Sequence, residues 1–490
     1  MTGKSLIDIA HFLKTDGLKF TNPQQMIPHL VIEHSEVKKG FGFIAYQGAR
    51  FDGHLFIPKA IKQGASLIIC EREILTGVDS IDVIIIPGIQ KNLASLACWF
   101  YPLVESHIMA VTGTNGKTSI TCLYAQMANL LNRPCGVLGT MGNGIWPNLI
   151  QSDRTTQNSL TLWRNLEKIT KQTKEIAMEI SSHALVQERV KGLKLSQVIW
   201  SNLSHDHLDY HRVIEAYFEA KYKLFSEFSY EHAIINLDNQ WGQLLYDRLK
   251  SKNTKERKVI YTYSTKTKAA DLFLEVLMKK AIGYRVCLHF LEQTQITELN
   301  LVGQFNLENV AAVILAFLLK GFSLRLIAPR LSQLKPVRGR LEIIKKDQKP
   351  FTVIDFAHTP DALEKTLITV RAQMKQGQKL WCVFGCGGDR DASKRPVMAS
   401  LAEKLPDRIV VTSDNPRTES QQGIFNDMEE GFSHSKPIIF IEDRKEAIFY
   451  ALNQASENDW ILIAGKGHET YQEINGVKYP FNEKEIIQVL

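Results

Sequence analysis

The segment His107–Thr118, HIMAVTGTNGKT, constrains the fold of this 490-residue chain more than any other. An apolar run ends in Gly113-Thr114-Asn115-Gly116-Lys117-Thr118, and a helical pattern follows over Ser119–Leu131. Strand, glycine turn and helix in that order open a parallel α/β unit. Glycines let backbone N–H groups turn inward around phosphate oxygens. Lys117 adds a point charge for the outer phosphates, Thr118 a hydroxyl for Mg²⁺, and the helix N-terminus its positive dipole end. The longer phosphate-loop pattern wants glycine at position 111, where this chain has Val111, so the match is to a shortened GxxGKT form. The competing reading is a chance glycine turn; the strand before it and the helix after it favour nucleotide binding.

The same alternation recurs along the chain. Phe43–Tyr46 and Ser66–Cys70 read as strands, with a helix at Phe56–Gly64 between them. The pattern restarts at Ser106 and runs on to a helix at Leu307–Lys320. After the turn-prone, basic stretch Pro336–Arg340, strands are predicted at Phe351–Asp355, Lys379–Gly385, Arg408–Ser413 and Trp460–Ala464. The expected fold class is α/β with three domains, in keeping with roughly 150 residues per domain. These are a small N-terminal α/β domain over residues 1–104, a central P-loop ATPase with a parallel sheet over 105–336, and a Rossmann-like C-terminal domain over 337–490.

Hydrophobic residues at 44% and charged residues at 23% exclude a disordered or fibrous chain. The longest apolar runs, such as Ala311–Leu319, are too short to cross a bilayer, and Asp8 and His11 interrupt any signal-peptide core. The seven cysteines are scattered, form no CxxC pair and make no His/Cys cluster of zinc spacing. A cytoplasmic protein is therefore expected. The net charge of +7 fits an anionic substrate or simply a basic surface. No basic stripe with interleaved aromatics points to nucleic acid, and Lys250–Lys258 (KSKNTKERK) reads as a solvated loop.

In open α/β sheets ligands sit beyond the carboxyl ends of strands. Glu175–Ile180 runs into Ser181-Ser182-His183, and Gln197–Trp200 into Ser201-Asn202-Leu203-Ser204-His205-Asp206-His207. Phe351–Ile354 ends in Asp355-Phe356-Ala357-His358, Lys379–Phe384 in Gly385-Cys386-Gly387-Gly388-Asp389-Arg390-Asp391, Arg408–Thr412 in Ser413-Asp414-Asn415-Pro416-Arg417, and Trp460–Ala464 in Gly465-Lys466-Gly467-His468-Glu469. Plain turns would carry Gly, Pro, Asn and Ser alone. Each of these also carries acids, histidines or basic residues, which favours a ligand cleft. Thr118 and Glu179 offer oxygens suited to Mg²⁺, and His207 a less usual nitrogen. For His207 alone, a hydrogen-bonded structural role is an equal reading. Zinc is disfavoured, for want of clustered cysteines and of an HExxH pattern.

The GTNGKT loop, MEISSHAL (178–185), NLSHDHLDYH (202–211), GQFNLENVAA (303–312), GRLE (339–342), DFAHTPDAL (355–363), GCGGDRD (385–391) and DNPR (414–417) together resemble the Mur ligases, over essentially the whole chain. The likeness is narrower to the branch that adds the third residue of the muramoyl peptide. It implies ATP-driven amide-bond formation: the D-Glu carboxylate of UDP-N-acetylmuramoyl-L-Ala-D-Glu is phosphorylated, and the amine of meso-2,6-diaminopimelate displaces phosphate from the acyl phosphate. ATP and Mg²⁺ are implied, with the muramoyl dipeptide and the diamino acid as partners. No nucleic acid or membrane insertion is expected, and the chain is expected to act as a monomer.

By the same resemblance Gly113, Thr114, Asn115, Gly116, Lys117, Thr118 and Ser119 cradle ATP, Asn306 faces adenine, and Arg340 and Asp355 close over the nucleotide. Thr118, Glu179, His207 and Lys221 are implied at the metal site. Lys117, Lys221 and His207 are implied in catalysis, and Lys221 matches the lysine carbamylated in the family. Ala49, Arg50 and Phe51 match the nucleotide loop of the substrate; Thr155, Thr156, Ser181, Gln187 and Arg189 match residues that hold the muramoyl peptide. Arg390, Asp414, Asn415, Pro416, Arg417, Gly465 and Glu469 match the surroundings of the amino acid. Arg417 suits diaminopimelate, whose second carboxylate pairs with a guanidinium fork; lysine-adding relatives lack it. Relatives carry Asp-Ser-Arg where this chain reads Glu33-His34-Ser35. Arg154 stands where some have asparagine, Gln157 where many have proline, and Phe356 where tyrosine is commoner. A folate-adding sibling ligase and a non-catalytic nucleotide-binding scaffold are the rival readings; DNPR opposes the first and the intact Lys117, Thr118, Glu179 and His207 the second.

Overall fold

The structure, a computed structural model, describes residues 3–15, 18–48, 52–73, 81–152, 154–251, 259–280 and 282–489. Ala49, Arg50 and Phe51 lie outside the described residues, as does most of the basic stretch after Lys250. By its contacts the chain divides into two compact units. One comprises Met1–Met109, Pro134–Ser196 and Lys223–Tyr230, and the other Ala110–Arg133, Gln197–Tyr222 and Glu231–Leu490.

In the first unit, Leu30–Val31, Gly42–Ala45, Leu67–Cys70 and Asp82–Ile85 form a parallel sheet in that order. Gly42–Ala45 and Leu67–Cys70 are buried along their whole length, as the continuous apolar runs of a covered parallel sheet require. The expected helix at 56–64 is the shorter Ile57–Lys62, entered through a 3-10 turn at Gly53–Phe56 whose cap is the Asp52 carboxylate. Val31, Val37, Phe43, Ile57, Ala60 and Ile68 close this core. The same unit holds Cys135–Gly139, paired parallel to Glu175–Glu179 and antiparallel to Gly142–Ile145. Helix Ser159–Thr170 starts where Asn158 Oδ1 accepts from Thr161 N at 3.0 Å, a local signal that fixes its first turn.

The division between units falls inside the strand His107–Thr112. In the second unit this strand leads a sheet ordered onward through Leu195–Trp200, Tyr230–Asn236, Val259–Ser264, Leu272–Lys279, Tyr284–Phe290 and Gln293–Leu299. The last three strands pair antiparallel. Helices Lys117–Leu130 and Gln304–Leu319 pack together, with Tyr124 stacked on Phe317 at 4.6 Å. The second of these helices is buried almost continuously from Leu307 to Leu318, which explains its near lack of a polar face.

A six-stranded sheet follows in the same unit, ordered Glu342–Ile344, Phe351–Asp355, Trp460–Ala464, Leu380–Phe384, Arg408–Val411 and Ile438–Phe440. All its pairs are parallel except the first. Its two faces bury separate clusters, one around Leu363, Phe384 and Met398, the other around Ile448, Ile461 and Ile463. Arg444 ties its strand ends together from behind. The guanidinium is 1% exposed; it donates to the carbonyls of Ser413 (3.1 Å) and Ala464 (2.8 Å) and pairs with the buried Glu483 carboxylate at 2.7 Å. Burial raises the Glu483 carboxyl, and Arg444 opposes that shift.

Removing one partner of such a pair leaves a bare charge in the interior, at about 3–5 kcal/mol. Glu483→Ala is therefore expected to lower the urea midpoint and to speed amide exchange in Trp460–Ala464, while Arg444→Met with Glu483→Leu recovers most of the loss. An unchanged midpoint in Glu483→Ala would show that the pair does not hold the sheet.

Candidate active site

The phosphate loop leaves its strand through Gly113, whose φ is +150°; a Cβ there would stand 1.9 Å from Ser201 Oγ. Gly116 caps the helix that begins at Lys117, with φ +87°, and a Cβ there would stand 2.5 Å from Asn309 Oδ1. Both positions therefore exclude any side chain. The loop is tied to the end of the neighbouring strand. Thr114 N donates to Asn202 O and Asn115 N to Asn202 Oδ1, each at 2.9 Å, and Ser201 Oγ donates to Asn115 O at 2.6 Å.

Two amines converge on one carbonyl: Lys117 Nζ donates to Gly113 O at 2.7 Å and Lys221 Nζ to the same oxygen at 2.8 Å. Lys221 is 1% exposed, and its nitrogen lies 4.5 Å from the Tyr217 ring centroid. Burial first, and then the charge of Lys117, holds its pKa well below the usual lysine range. The shift disfavours the charged ammonium at this position beside the phosphate loop. His207 has φ +55°, and its Nε2 sits 3.4 Å from Asp206 Oδ2. Burial lowers its pKa against the pull of Asp206, so the imidazole is neutral at pH 7 and offers a lone pair.

Beside the loop lies a cavity of about 320 Å³. Asn115, Gly116, Ser119 and Asn202 form one wall, Asp238, Lys266, Phe305, Glu308 and Asn309 another, and Arg340, Asp355 and Thr366 a third. Arg340 Nη2 is 3.5 Å from Thr118 Oγ1, and its guanidinium stacks 4.5 Å over Phe356. The buried Asp355 accepts from Leu341 N at 2.7 Å and Thr366 Oγ1 at 3.2 Å; burial raises its pKa and Arg340 opposes the rise. Asn306 is buried but does not line this cavity: its amide donates to Val302 O at 2.8 Å, leaving Gln304, Phe305, Glu308 and Asn309 as the helix's contribution. A glycine cradle, a helix N-terminus, a lysine and a hydroxyl beside a cavity fit a nucleoside triphosphate, and hydroxyl and carboxylate donors fit the hard cation it carries.

A second cavity, of about 180 Å³, opens at the carboxyl ends of the six-stranded sheet. Asp206, His207, His358, Arg390, Lys394, Asp414, Asn415, Arg417, Gly465 and Glu469 line it. Close loop approach requires glycine here: a Cβ on Gly388 would stand 2.0 Å from Pro416 O, and one on Gly465 2.5 Å from Asp414 Oδ2. Arg417 Nη1 donates to Gly388 O at 2.5 Å. Asp414 is buried, which raises its pKa, but Lys466, Arg444 and neighbouring cations outweigh this and keep it ionised. Lys466 escaped the sequence-based assignment. It is 0% exposed and donates to Asn415 Oδ1 and Glu469 Oε2, both at 2.9 Å, so it orients two residues that were assigned. Its place between Gly465 and Gly467 at a strand end was the available signal.

In the first unit, the residues expected to hold the peptide come together. Glu179, 2% exposed, accepts from Thr140 N at 2.8 Å and Thr140 Oγ1 at 3.1 Å. Thr140 Oγ1 lies 3.1 Å from Thr155 Oγ1; Ser181 N donates to Thr156 Oγ1 at 3.0 Å, Arg189 Nη1 to Thr156 O at 2.8 Å, and Arg189 Nε to Gln187 Oε1 at 2.9 Å. Thr140, just past the strand Cys135–Gly139, is another residue the sequence assignment missed. Two departures from the family pattern meet in space: Arg154 pairs with Glu33 at 3.1 Å, and His34 stacks on Phe56 at 4.5 Å.

Three stretches of the chain match known protein-family domains. The Mur ligase middle domain matches residues 111–317, the glutamate ligase domain of Mur ligases residues 339–467, and the catalytic domain of the Mur ligase family residues 27–97. The chain belongs to the Mur ligase family. The UDP-N-acetylmuramoyl-L-alanyl-D-glutamate–2,6-diaminopimelate ligase of Pseudomonas putida is 39% identical over 466 residues, covering 94% of this chain and 93% of its own. A solved structure of a ligase of that name has a TM-score of 0.65 at 35% identity, covering 99% of this chain and 98% of its own. The Thermotoga maritima MurF ligase, solved in complex with ADP, has a TM-score of 0.67 at 18% identity, covering 89% of this chain and 93% of its own, a likeness of fold. Mur ligases are ATP-dependent amide-bond ligases, and among the described residues no helix is long and apolar enough to cross a membrane.

Proposed function

We propose that this Mur ligase joins meso-2,6-diaminopimelate to the D-Glu of UDP-N-acetylmuramoyl-L-Ala-D-Glu, with ATP converted to ADP and phosphate, as a step in making peptidoglycan precursors. The observation that carries it is Arg417 on the wall of the smaller cavity, in a chain whose relatives over more than nine-tenths of its length are named 2,6-diaminopimelate ligases. A planar guanidinium can pair with the distal carboxylate that distinguishes diaminopimelate from lysine. None of the seven cysteines is in a disulfide, which accords with a cytoplasmic setting.

Two anions, a carboxylate and a triphosphate, must approach each other, so the chemistry is positioning and neutralisation of charge. The carboxylate oxygen takes the γ-phosphoryl group, the amine then attacks the carbonyl carbon, and phosphate leaves with one carboxylate oxygen. Lys117 and the loop N–H groups stabilise the transferring phosphoryl. Arg340 and Asp355 enclose the nucleotide. Thr118, Glu179, His207 and carbamylated Lys221 would hold Mg²⁺, which supplies further neutralisation when bound. Arg189, Thr156 and Ser181 position the dipeptide end, and Asn415 and Glu469, oriented by Lys466, position the incoming amino acid. A neutral amine is the form that captures CO₂, and burial of Lys221 shifts its equilibrium toward that form.

Purified protein is expected to release phosphate from ATP only when the UDP-muramoyl dipeptide and meso-diaminopimelate are both present. Arg417→Lys is expected to lower kcat/KM for diaminopimelate about a hundredfold. Equal turnover with L-lysine would defeat the assignment of the amino acid. Lys221→Ala is expected to lose activity and to regain part of it with bicarbonate or a short carboxylate; full activity in that variant would remove Lys221 from the site.

A further inference from the structure

Among the described residues, and apart from the two cavities, one cluster of side chains has the composition of a transition-metal site. Strands Leu272–Lys279 and Tyr284–Phe290 pair antiparallel, with Glu275 opposite Cys287 and Phe273 opposite His289. Side chains alternate across a strand, so Cys287 and His289 share one face, and Glu275, directly across from Cys287, shares it too. The core-facing residues Leu272, Leu274, Val286 and Leu288 are all 0% exposed, so the cluster lies on the sheet's other face.

A ligand atom from each of Glu275, Cys287 and His289 lies within 4.8 Å of the other two. His289 Nε2 and Glu275 Oε2 are 2.9 Å apart and bond each other, a contact that an ion between them would replace. The His289 ring stacks on Phe273, with centroids 5.6 Å apart, and this limits its rotation. Cys287 is buried at 6% exposure, whereas the other two side chains are about one-third open to solvent (34% and 36%). None of the three lines the nucleotide cavity or the amino-acid cavity.

We propose that Glu275, Cys287 and His289 form a binding site for a borderline divalent transition metal, best suited to zinc(II), with a solvent molecule in the fourth position. One thiolate, one imidazole and one carboxylate make a mixed S/N/O set that such ions accept and that Mg²⁺ refuses. Metal–ligand bonds of about 2.0–2.3 Å place tetrahedral donors some 3.3–3.8 Å apart, within small side-chain rotations of the present arrangement. Burial and Glu275 push the Cys287 thiol up, against the pull of Lys268, so the thiol is protonated in the metal-free protein. Binding therefore forms a metal–sulfur bond and releases the thiol proton to solvent. The open side facing solvent supplies the entry path.

Titration of the untagged full-length protein with Co²⁺ alone, in buffer free of Mg²⁺ and nucleotide, tests the site. The expected result is a near-ultraviolet sulfur-to-cobalt charge-transfer band that saturates at one equivalent and is bleached by Zn²⁺. Cys287→Ser abolishes the band, and Cys98→Ser, at a half-buried thiol outside the cluster, leaves it intact. His289→Gln and Glu275→Gln each weaken binding more than about a hundredfold, beyond the roughly 10–100-fold loss typical of an outer-shell partner. These two variants carry the test should Cys287→Ser fail to fold. A folded protein without the band, or a band that survives in Cys287→Ser, would overturn the site; so would unchanged Co²⁺ affinity in both glutamine variants.

Discussion

Gly113 occupies a place that no side chain can share, because the backbone there passes against Ser201 and Asn202 at the end of the neighbouring strand. That contact ties the loop to the end of the neighbouring strand, where Thr114 N and Asn115 N both donate to Asn202. It also points the Gly113 carbonyl at Lys117 and Lys221 together. One close approach thus fixes the shape of the anion cradle and the position of both amines. The helix that starts at Lys117, the Asn309 amide against Gly116 and Arg340 beside Thr118 are arranged around it.

Burial of positive charge recurs around these sites. Lys221, Lys466, Arg395 and Arg444 are at most 2% exposed, although cations are costly to take out of water. Their environments resolve that cost differently. Lys221 sits near Lys117, and burial pulls its pKa down, away from the charged form. Lys466 and Arg444 stay paired with Glu469 and Glu483, and Arg395 with Glu419 and Asp427. The overall charge of +7 says little about this. What matters is where the buried cations act: Lys221 on Gly113 O, Lys466 on Asn415 Oδ1 and Arg444 on Ser413 O.

Much of this was legible in the residues, and the exceptions have physical causes. The strands His107–Thr112, Phe351–Asp355 and Trp460–Ala464 have the expected bounds, since each is a short apolar run closed by a glycine or a charged turn. The helix expected at 307–320 begins earlier, at Gln304, because Gly303 with φ +98° ends the preceding segment while Gln304 and Asn306 hide the apolar pattern. Loops at strand ends revealed Asp414, Asn415 and Arg417 because charges stand among turn residues. Lys466 and Thr140 needed tertiary structure: a lysine between glycines does not announce that it is fully buried, and a lone threonine after a strand does not announce that it holds Glu179. The pairing of Arg154 with Glu33 was likewise invisible, since each alone looks like a departure from the family pattern. Glu275 joins Cys287 and His289 only through antiparallel register, which no metal-ligand spacing along the chain encodes.

The chemistry assigned to the phosphate loop can be followed atom by atom. Muramoyl dipeptide carrying ¹⁸O in both oxygens of the reacting D-Glu carboxylate, turned over with ATP and meso-diaminopimelate, reports where each oxygen goes. Activation of that carboxylate by phosphoryl transfer predicts one ¹⁸O in the released phosphate, read as an isotope shift in its ³¹P resonance, and one in the new amide. Product formed with unlabelled phosphate would contradict the account.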